Sequence, residues 1–165
     1  MVTVLIRCET GDDVEVEGTT LVGANLSGLN LHRALLEKQD LRHCDLSGSD
    51  LRSAWLDEAI LNGANLSGAR LPACNAARTR FVSANLVGAL LRSAVFEGAD
   101  FTEANLEGAN LGRARLCGAI LLGANLRAID LAEADLTGAT ADEATLWPKG
   151  FDPVAHGVRL VSRKA

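Results

Sequence analysis

The chain is 165 residues long, with 48% hydrophobic residues, only 4% aromatic residues and no tyrosine. Its 16 basic and 21 acidic residues leave a net charge of −5, which excludes a basic nucleic-acid binder on bulk charge. The apolar content excludes a disordered chain, and no apolar run approaches the roughly 18 residues of a membrane-spanning helix.

Residues 1–13 read as a cap. Val2, Val4, Ile6 and Cys8 alternate with Thr3, Leu5, Arg7 and Glu9, and Gly11-Asp12-Asp13 follows. That is the pattern of a strand running into a turn, so a strand or hairpin is expected here. The opening apolar stretch is too short for a secretory signal, and no small-residue cleavage site follows it. A cytoplasmic location is therefore expected.

Residues 14–148 carry a five-residue repeat. From position 16 to position 151 in steps of five there are 28 positions, of which 21 are Leu and 4 are Phe; Val16, Ala76 and Ala141 are the exceptions. Two residues before that position, 18 of 28 residues are Ala, and one residue before it 14 of 28 are Asn or Asp. Two residues after it stand 12 of the 16 glycines. The phase runs through 27 consecutive units with no insertion in the sequence. Ala-Asn-Leu-Ser-Gly at 24–28 shows the unit in full.

Neither regular secondary structure buries every fifth residue on one side. Five helical residues advance about 500°, so the stripe wanders round the cylinder. A flat strand alternates faces with period two. A chain that turns a corner in every unit does bury them all. Four corners of about 90° close a coil of 20 residues, and coils stack at about 4.8 Å through backbone hydrogen bonds. The Leu or Phe fills the axis, and the Ala before it points inward where only a small side chain fits. The Asn or Asp bonds nearby backbone. The Gly permits positive φ at a type II corner. Units with Arg33, Lys38, His43 or Arg78 in the Gly phase are expected to use a different turn.

The unit Ala-(Asp/Asn)-Leu-X-Gly resembles that of the pentapeptide-repeat protein family, over residues 14–148. The resemblance implies an all-β fold, a right-handed quadrilateral β-helix, here of about seven coils. It also implies that some members protect DNA gyrase from inhibitors or block it by resembling duplex DNA, and that these members are dimers joined by C-terminal helices. The segment Trp147-Pro148-Lys149-Gly150-Phe151-Asp152-Pro153 resembles tails of bacterial, especially cyanobacterial, members.

The repeat is least regular over 69–80. Ala76 leaves space on the axis, which Phe96 in the next coil and Phe81 on the next face are expected to fill. Pro72 is expected to remove one hydrogen bond from the ladder between coils. Two readings stand for this stretch: a repaired defect, or a widened corner placing Arg70, Arg78 and Arg80 for a ligand. Residues 149–165 read as a C-terminal cap and tail. Trp147, Phe151, Val154, Val158 and Leu160 supply its apolar groups, Asp152-Pro153 starts a short turn, and Arg159, Arg163 and Lys164 are basic.

No catalytic constellation is present. Cys8, Cys44, Cys74 and Cys117 share no CxxC spacing, and His32, His43 and His156 do not pair with them at ligand spacing. No metal, cofactor or catalytic residue is therefore expected. Residues twenty apart stack, so surface columns can be read directly. One reads Glu15, Leu35, Trp55, Asn75, Val95, Arg115, Asp135. Leu35, Trp55 and Val95 are the candidate partner-binding residues; the other reading is that Trp55 lies flat over the wall. An adjoining column reads Glu17, Glu37, Asp57, Ala77, Glu97, Cys117, Thr137, and a basic patch gathers His32, Arg33, Lys38, Arg42, His43 and Arg52.

The expected function is that of a non-catalytic module presenting a rigid surface to a protein partner. The protein is expected to be a monomer or weak homodimer, with no direct nucleic-acid or membrane contact. The alternative is a DNA mimic acting on gyrase. Duplex DNA carries one charge per ~1.7 Å, or about 19 over a rod of this length, against a net charge of −5 here.

Overall fold

A computed structural model describes residues 2–162; Met1 and residues 163–165, with Arg163 and Lys164 of the basic tail, lie outside the described residues. The repeat winds into a four-walled solenoid. Its walls are ladders of isolated parallel bridges: 25–45–65–85–105–125–146, 30–50–70–90–110–129, 35–55–75–95–115–135, and 40–60–80–100–120–140. In each rung two backbone bonds tie neighbouring coils, as when Leu86 N–H donates to Asn105 O at 2.7 Å and Asn105 N–H donates to Ala84 O at 2.9 Å. Leu86 and Leu106 thus stack on one wall.

The axis is apolar. The Leu and Phe residues in the five-residue phase from Leu26 to Leu126 are at most 1% exposed, and so are the Ala residues beside them from Ala34 to Ala124. At Ser49 and Thr79, which replace that Ala, the hydroxyl donates to a backbone carbonyl: Ser49 Oγ to Leu46 O at 2.7 Å, and Thr79 Oγ1 to Leu56 O at 2.6 Å. The space at Ala76 is flanked by Phe81, Phe96 and Phe101, which are fully buried and pack ring against ring.

The corners correct the expectation of two turn types. All 21 corners from residue 23 to residue 123 have positive φ at the third turn residue, ten of them glycine and eleven not. Arg33, Lys38, His43 and Arg78 have φ of 58°, 60°, 58° and 55°, against 65° at Gly28. Positive φ at that residue, with the hydrogen bond from residue four to residue one, is the type II arrangement. A left-handed non-glycine residue costs about 1–3 kcal/mol. Stacking imposes it, because 19 of the 21 corner N–H groups donate to a backbone carbonyl of the coil above, as Lys38 does to Asp57 O at 2.9 Å and Arg78 to Glu97 O at 2.8 Å. A different turn would lose that bond and the register beyond it.

Pro72 also departs from expectation. No residue in its phase donates a backbone bond to a neighbouring coil, so the ladder loses nothing there. That N–H instead serves the Asn or Asp two residues earlier, as Ser27 N–H does for Asn25 Oδ1 at 3.0 Å. Pro72 is the second residue of a type II turn, a favoured place for proline. Residue 70 is Arg, where an Asn or Asp would find no N–H to accept.

The phase of the sequence and the path of the backbone part company after Leu126. Ile129 falls in the inward, small-residue phase, yet it is 52% exposed and takes the outward rung on Asn110. Ala128 fills the inward place through a tight turn, its N–H donating to Leu126 O at 2.6 Å. That side is one residue short. The next regains it through Asp130, at φ 57°, and a 3-10 helix Leu131–Glu133, so that Asp135 sits twenty residues above Arg115. A further residue enters before Leu146, which bridges Asn125 and is 40% exposed rather than axial.

At one end, β1 (Thr3–Ile6) and β2 (Val14–Glu17) form an antiparallel hairpin, and Cys8 bridges Ala34 of the first coil. Buried Ile6, Cys8 and Val16 close the axis. At the other end, β3 (Thr140–Ala141) pairs in parallel with β4 (Arg159–Leu160). The tail between them stacks Phe151 on Trp147 at 5.4 Å and on His156 at 4.4 Å. Asp152 Oδ1 accepts the N–H groups of Val154 and Ala155 in a short turn.

Candidate protein-interaction face

The wall 35–55–75–95–115–135 carries the three candidate residues. Their outward direction follows from their neighbours: Ala34 and Leu36, Ala54 and Leu56, and Ala94 and Phe96 are all buried. Leu35 and Trp55 occupy adjacent rungs, Asn75 separates Trp55 from Val95, and Arg115 and Asp135 follow. Leu35 is 38% exposed, while Trp55 and Val95 are half-buried.

Two depressions open near the lower rungs. The first, about 200 Å³, lies between the hairpin and Leu35, with Leu5, Arg7 and Gln39 on its sides. The second, about 360 Å³, is lined by Glu9, Arg33, Ser53, Trp55, Ala73 and Asn75. Its corner column reads Arg33, Ser53, Ala73, Ser93, Arg113, with three small residues between two arginines. Val95 lines neither depression. Sequence reasoning singled out neither Asn75 nor this notch. Reading the corner columns as the wall columns were read would have exposed it.

Two polar groups in the second depression are unusual. The Trp55 indole N–H is buried without a hydrogen-bond partner, and an unpaired buried donor costs about 1–3 kcal/mol. The Asn75 side chain makes no hydrogen bond among the described residues. Of the fourteen Asn and Asp residues in its phase, twelve accept the N–H two residues on. The others are Asp130, at the slipped side, and Asn75, directly above the indole. Beside them Arg33 is tied to Glu9 of the cap, Nη2 to Oε2 at 2.7 Å.

Five further arginines form ion pairs elsewhere on the surface. Arg42 meets Asp40 and Arg52 meets Asp50, both at 2.7 Å, and Arg78 meets Glu58 at 3.0 Å. Arg92 meets Asp130 at 3.3 Å, and Arg115 pairs with Glu97. The hydrogen bonds from Arg42 hold the Asp40 carboxyl below its ordinary range, and Arg78 followed by Lys38 does the same for Glu58. The supposed basic patch and much of the acidic surface are therefore interleaved. Of the three arginines suggested for a ligand, Arg78 is committed to Glu58. Among the described residues no three His, Cys, Asp or Glu side chains gather as a metal site, and no helix is long and apolar enough to cross a membrane.

A family model for pentapeptide repeats matches in eight copies, over residues 19–56, 40–72, 49–86, 79–116 and 109–147. The chain belongs to the pentapeptide-repeat family. Its four-walled solenoid is the right-handed quadrilateral β-helix of that family. Among solved structures it is similar to HetL, a pentapeptide-repeat protein involved in heterocyst differentiation regulation from the cyanobacterium Nostoc sp. strain PCC 7120: 29% identity, 81% of this chain and 71% of that one, TM-score 0.42. It is similar to alr5209 from Nostoc PCC 7120 at 34% identity, over 65% of this chain and 84% of that one, TM-score 0.39. A trypsin-treated variant of QnrB1, a plasmid-mediated fluoroquinolone resistance protein, shares the fold at 23% identity, over 83% of this chain and 77% of that one, TM-score 0.61. No curated protein matches the chain.

Proposed function

We propose that this protein is a non-catalytic interaction module that presents its Leu35, Trp55 and Val95 wall to a protein partner. One observation carries the reading: Trp55 is half-buried beside exposed Leu35, with its indole N–H unpaired. Trp anchors next to apolar neighbours are typical interface hot spots, and a wall held by ladder bonds on both sides pre-organises them. The protein acts as a monomer or weak homodimer, in the cytoplasm, without a cofactor. Gyrase-directed DNA mimicry has less support, because six arginine–carboxylate pairs break up the negative surface.

Trp55→Glu tests the reading. Loss of the partner captured from the native host, at an unchanged melting temperature, is the expected result. A clear fall in melting temperature with capture retained by the folded fraction would reduce Trp55 to wall. A gyrase supercoiling assay with and without the protein is expected to show no effect.

A further inference from the structure

We propose that the notch bounded by Trp55, Asn75, Ser53 and Ala73 holds an extended peptide segment of the partner, with Asn75 reading the peptide backbone and Trp55 flooring an apolar side chain. This rests on the reading of the wall as a protein-interaction face.

The wall backbone cannot take an added strand. At Trp55 and Asn75 both ladder directions are occupied: Trp55 N–H donates to Ala34 O and Asn75 N–H to Ala54 O, while Leu36 N–H and Leu56 N–H donate to Trp55 O and Asn75 O. Main-chain recognition therefore falls to a side chain. A primary amide offers a donor and an acceptor side by side, the same pair that one residue of an extended peptide presents. Asn75 has both groups unspent, while its twelve Asn and Asp equivalents each give an oxygen to the N–H two residues on. It is half-buried beside the depression.

The notch also favours an uncharged occupant. Its one cation, Arg33, is committed to Glu9 at 2.7 Å, which leaves no unpaired charge to draw an anion. Ser53 and Ala73 keep the corner low, and the depression of about 360 Å³ is at the lower end of clefts that hold ligands. That suits one or two residues of a chain lying against the corner, with an apolar side chain over the indole.

The probe is a phage-displayed library of linear twelve-residue peptides selected on the whole protein. Enriched peptides are then synthesised, and their affinity is measured on the wild type, Asn75→Ala and Ala73→Arg. Asn75→Ala removes a side chain without internal hydrogen bonds, so its melting temperature should match the wild type. Ala73→Arg fills the notch at a corner position that arginine already occupies at 33, 78 and 113. The expected result is enrichment of apolar-containing peptides whose affinity falls about tenfold or more on Asn75→Ala and is lost on Ala73→Arg. No enrichment, or equal binding to all three proteins, overturns the proposal. If Trp55→Glu abolishes capture of the native partner while no linear peptide binds, the interaction face stands and this inference alone fails. If Trp55→Glu changes neither, both fail.

Discussion

Phe81 and Phe101 stack with ring centroids 4.8 Å apart and 4° between their planes. They stand twenty residues apart on one wall, and Phe96 meets both edge-on at 5.8 Å and 5.2 Å. Offset or edge-on rings at such distances contribute about 0.5–1.5 kcal/mol beyond their burial. The trio lies where Ala76 removes volume from the axis, in the column that Phe96 continues. Phe101→Ala should cost about 3–5 kcal/mol. Ala76→Leu should cost about 1–3 kcal/mol by overpacking, and Ala76→Leu with Phe96→Leu should recover part of that by restoring an ordinary leucine column. Urea unfolding of the single and double variants measures the coupling.

The corners supply a clean measure of backbone strain. Gly68 has φ 63° and open space where a Cβ would stand, whereas a Cβ on Gly63 would lie 2.6 Å from His43 Nδ1. Gly68→Ala should therefore cost only the left-handed penalty, about 1 kcal/mol. Gly63→Ala should cost more, and the excess should vanish when His43→Ala is combined with it. Ser83→Gly, at φ 54°, should stabilise slightly. Thermal melts of the four variants order these effects.

Asp135 should give an acid limb to the stability curve. Its carboxyl is held at about 2, first by the Cys117 thiol and then by Thr137, against an ordinary 3.8. A depressed carboxyl stabilises the fold above its unfolded pKa, and that contribution fades as pH falls from about 3.8 towards about 2. Cys117→Ala removes the leading donor, so the Asp135 titration followed by carboxyl NMR should move up towards its ordinary value.

The thiols should separate by reactivity. Burial, followed by the charge of Asp57, pushes Cys74 up to about 12 from 9.0, and burial also raises Cys44. Thiolate is the reactive form. In the folded protein at pH 8, DTNB should label half-exposed Cys117 first and leave Cys74 and Cys44 untouched until denaturant is added. Because its folded pKa is raised, Cys74 stabilises the fold below about pH 9 and loses that contribution as pH rises towards 12.

The axis was legible because burial selects residue type directly: nothing but Leu, Phe and a small partner fits at 26, 31 or 86. The corners were misread because local propensity sets Arg33 and Gly28 apart, while the stacked N–H bonds treat them alike. Pro72 is costless because its phase supplies no donor to the ladder, a property of the stacked coils rather than of the residue. The slip after Leu126 is invisible to the leucine count, since Leu131 and Leu136 remain in step. Its signal was Ile129, too large for the slot its phase gave it. On the wall, Leu35 and Trp55 were placed by counting, but the Asn75 amide was not. Whether that side chain turns onto the Ala77 N–H or stays free is a choice of rotamer beside an indole, which composition does not encode.

Ile129 also shows where this architecture keeps its length. The side that ends at Ile129 is one residue short and the next is one residue long, yet Asp135 lands squarely on Arg115 and Thr140 on Ile120. Across these two sides the perimeter of the turn is restored although its edges are unequal. A deletion in one side can be absorbed by an insertion in the next, with the storeys above left in place. Such a chain is free to move bulky or polar residues from inside to outside one edge at a time, and its surface can be rewritten without demolishing the column it encloses.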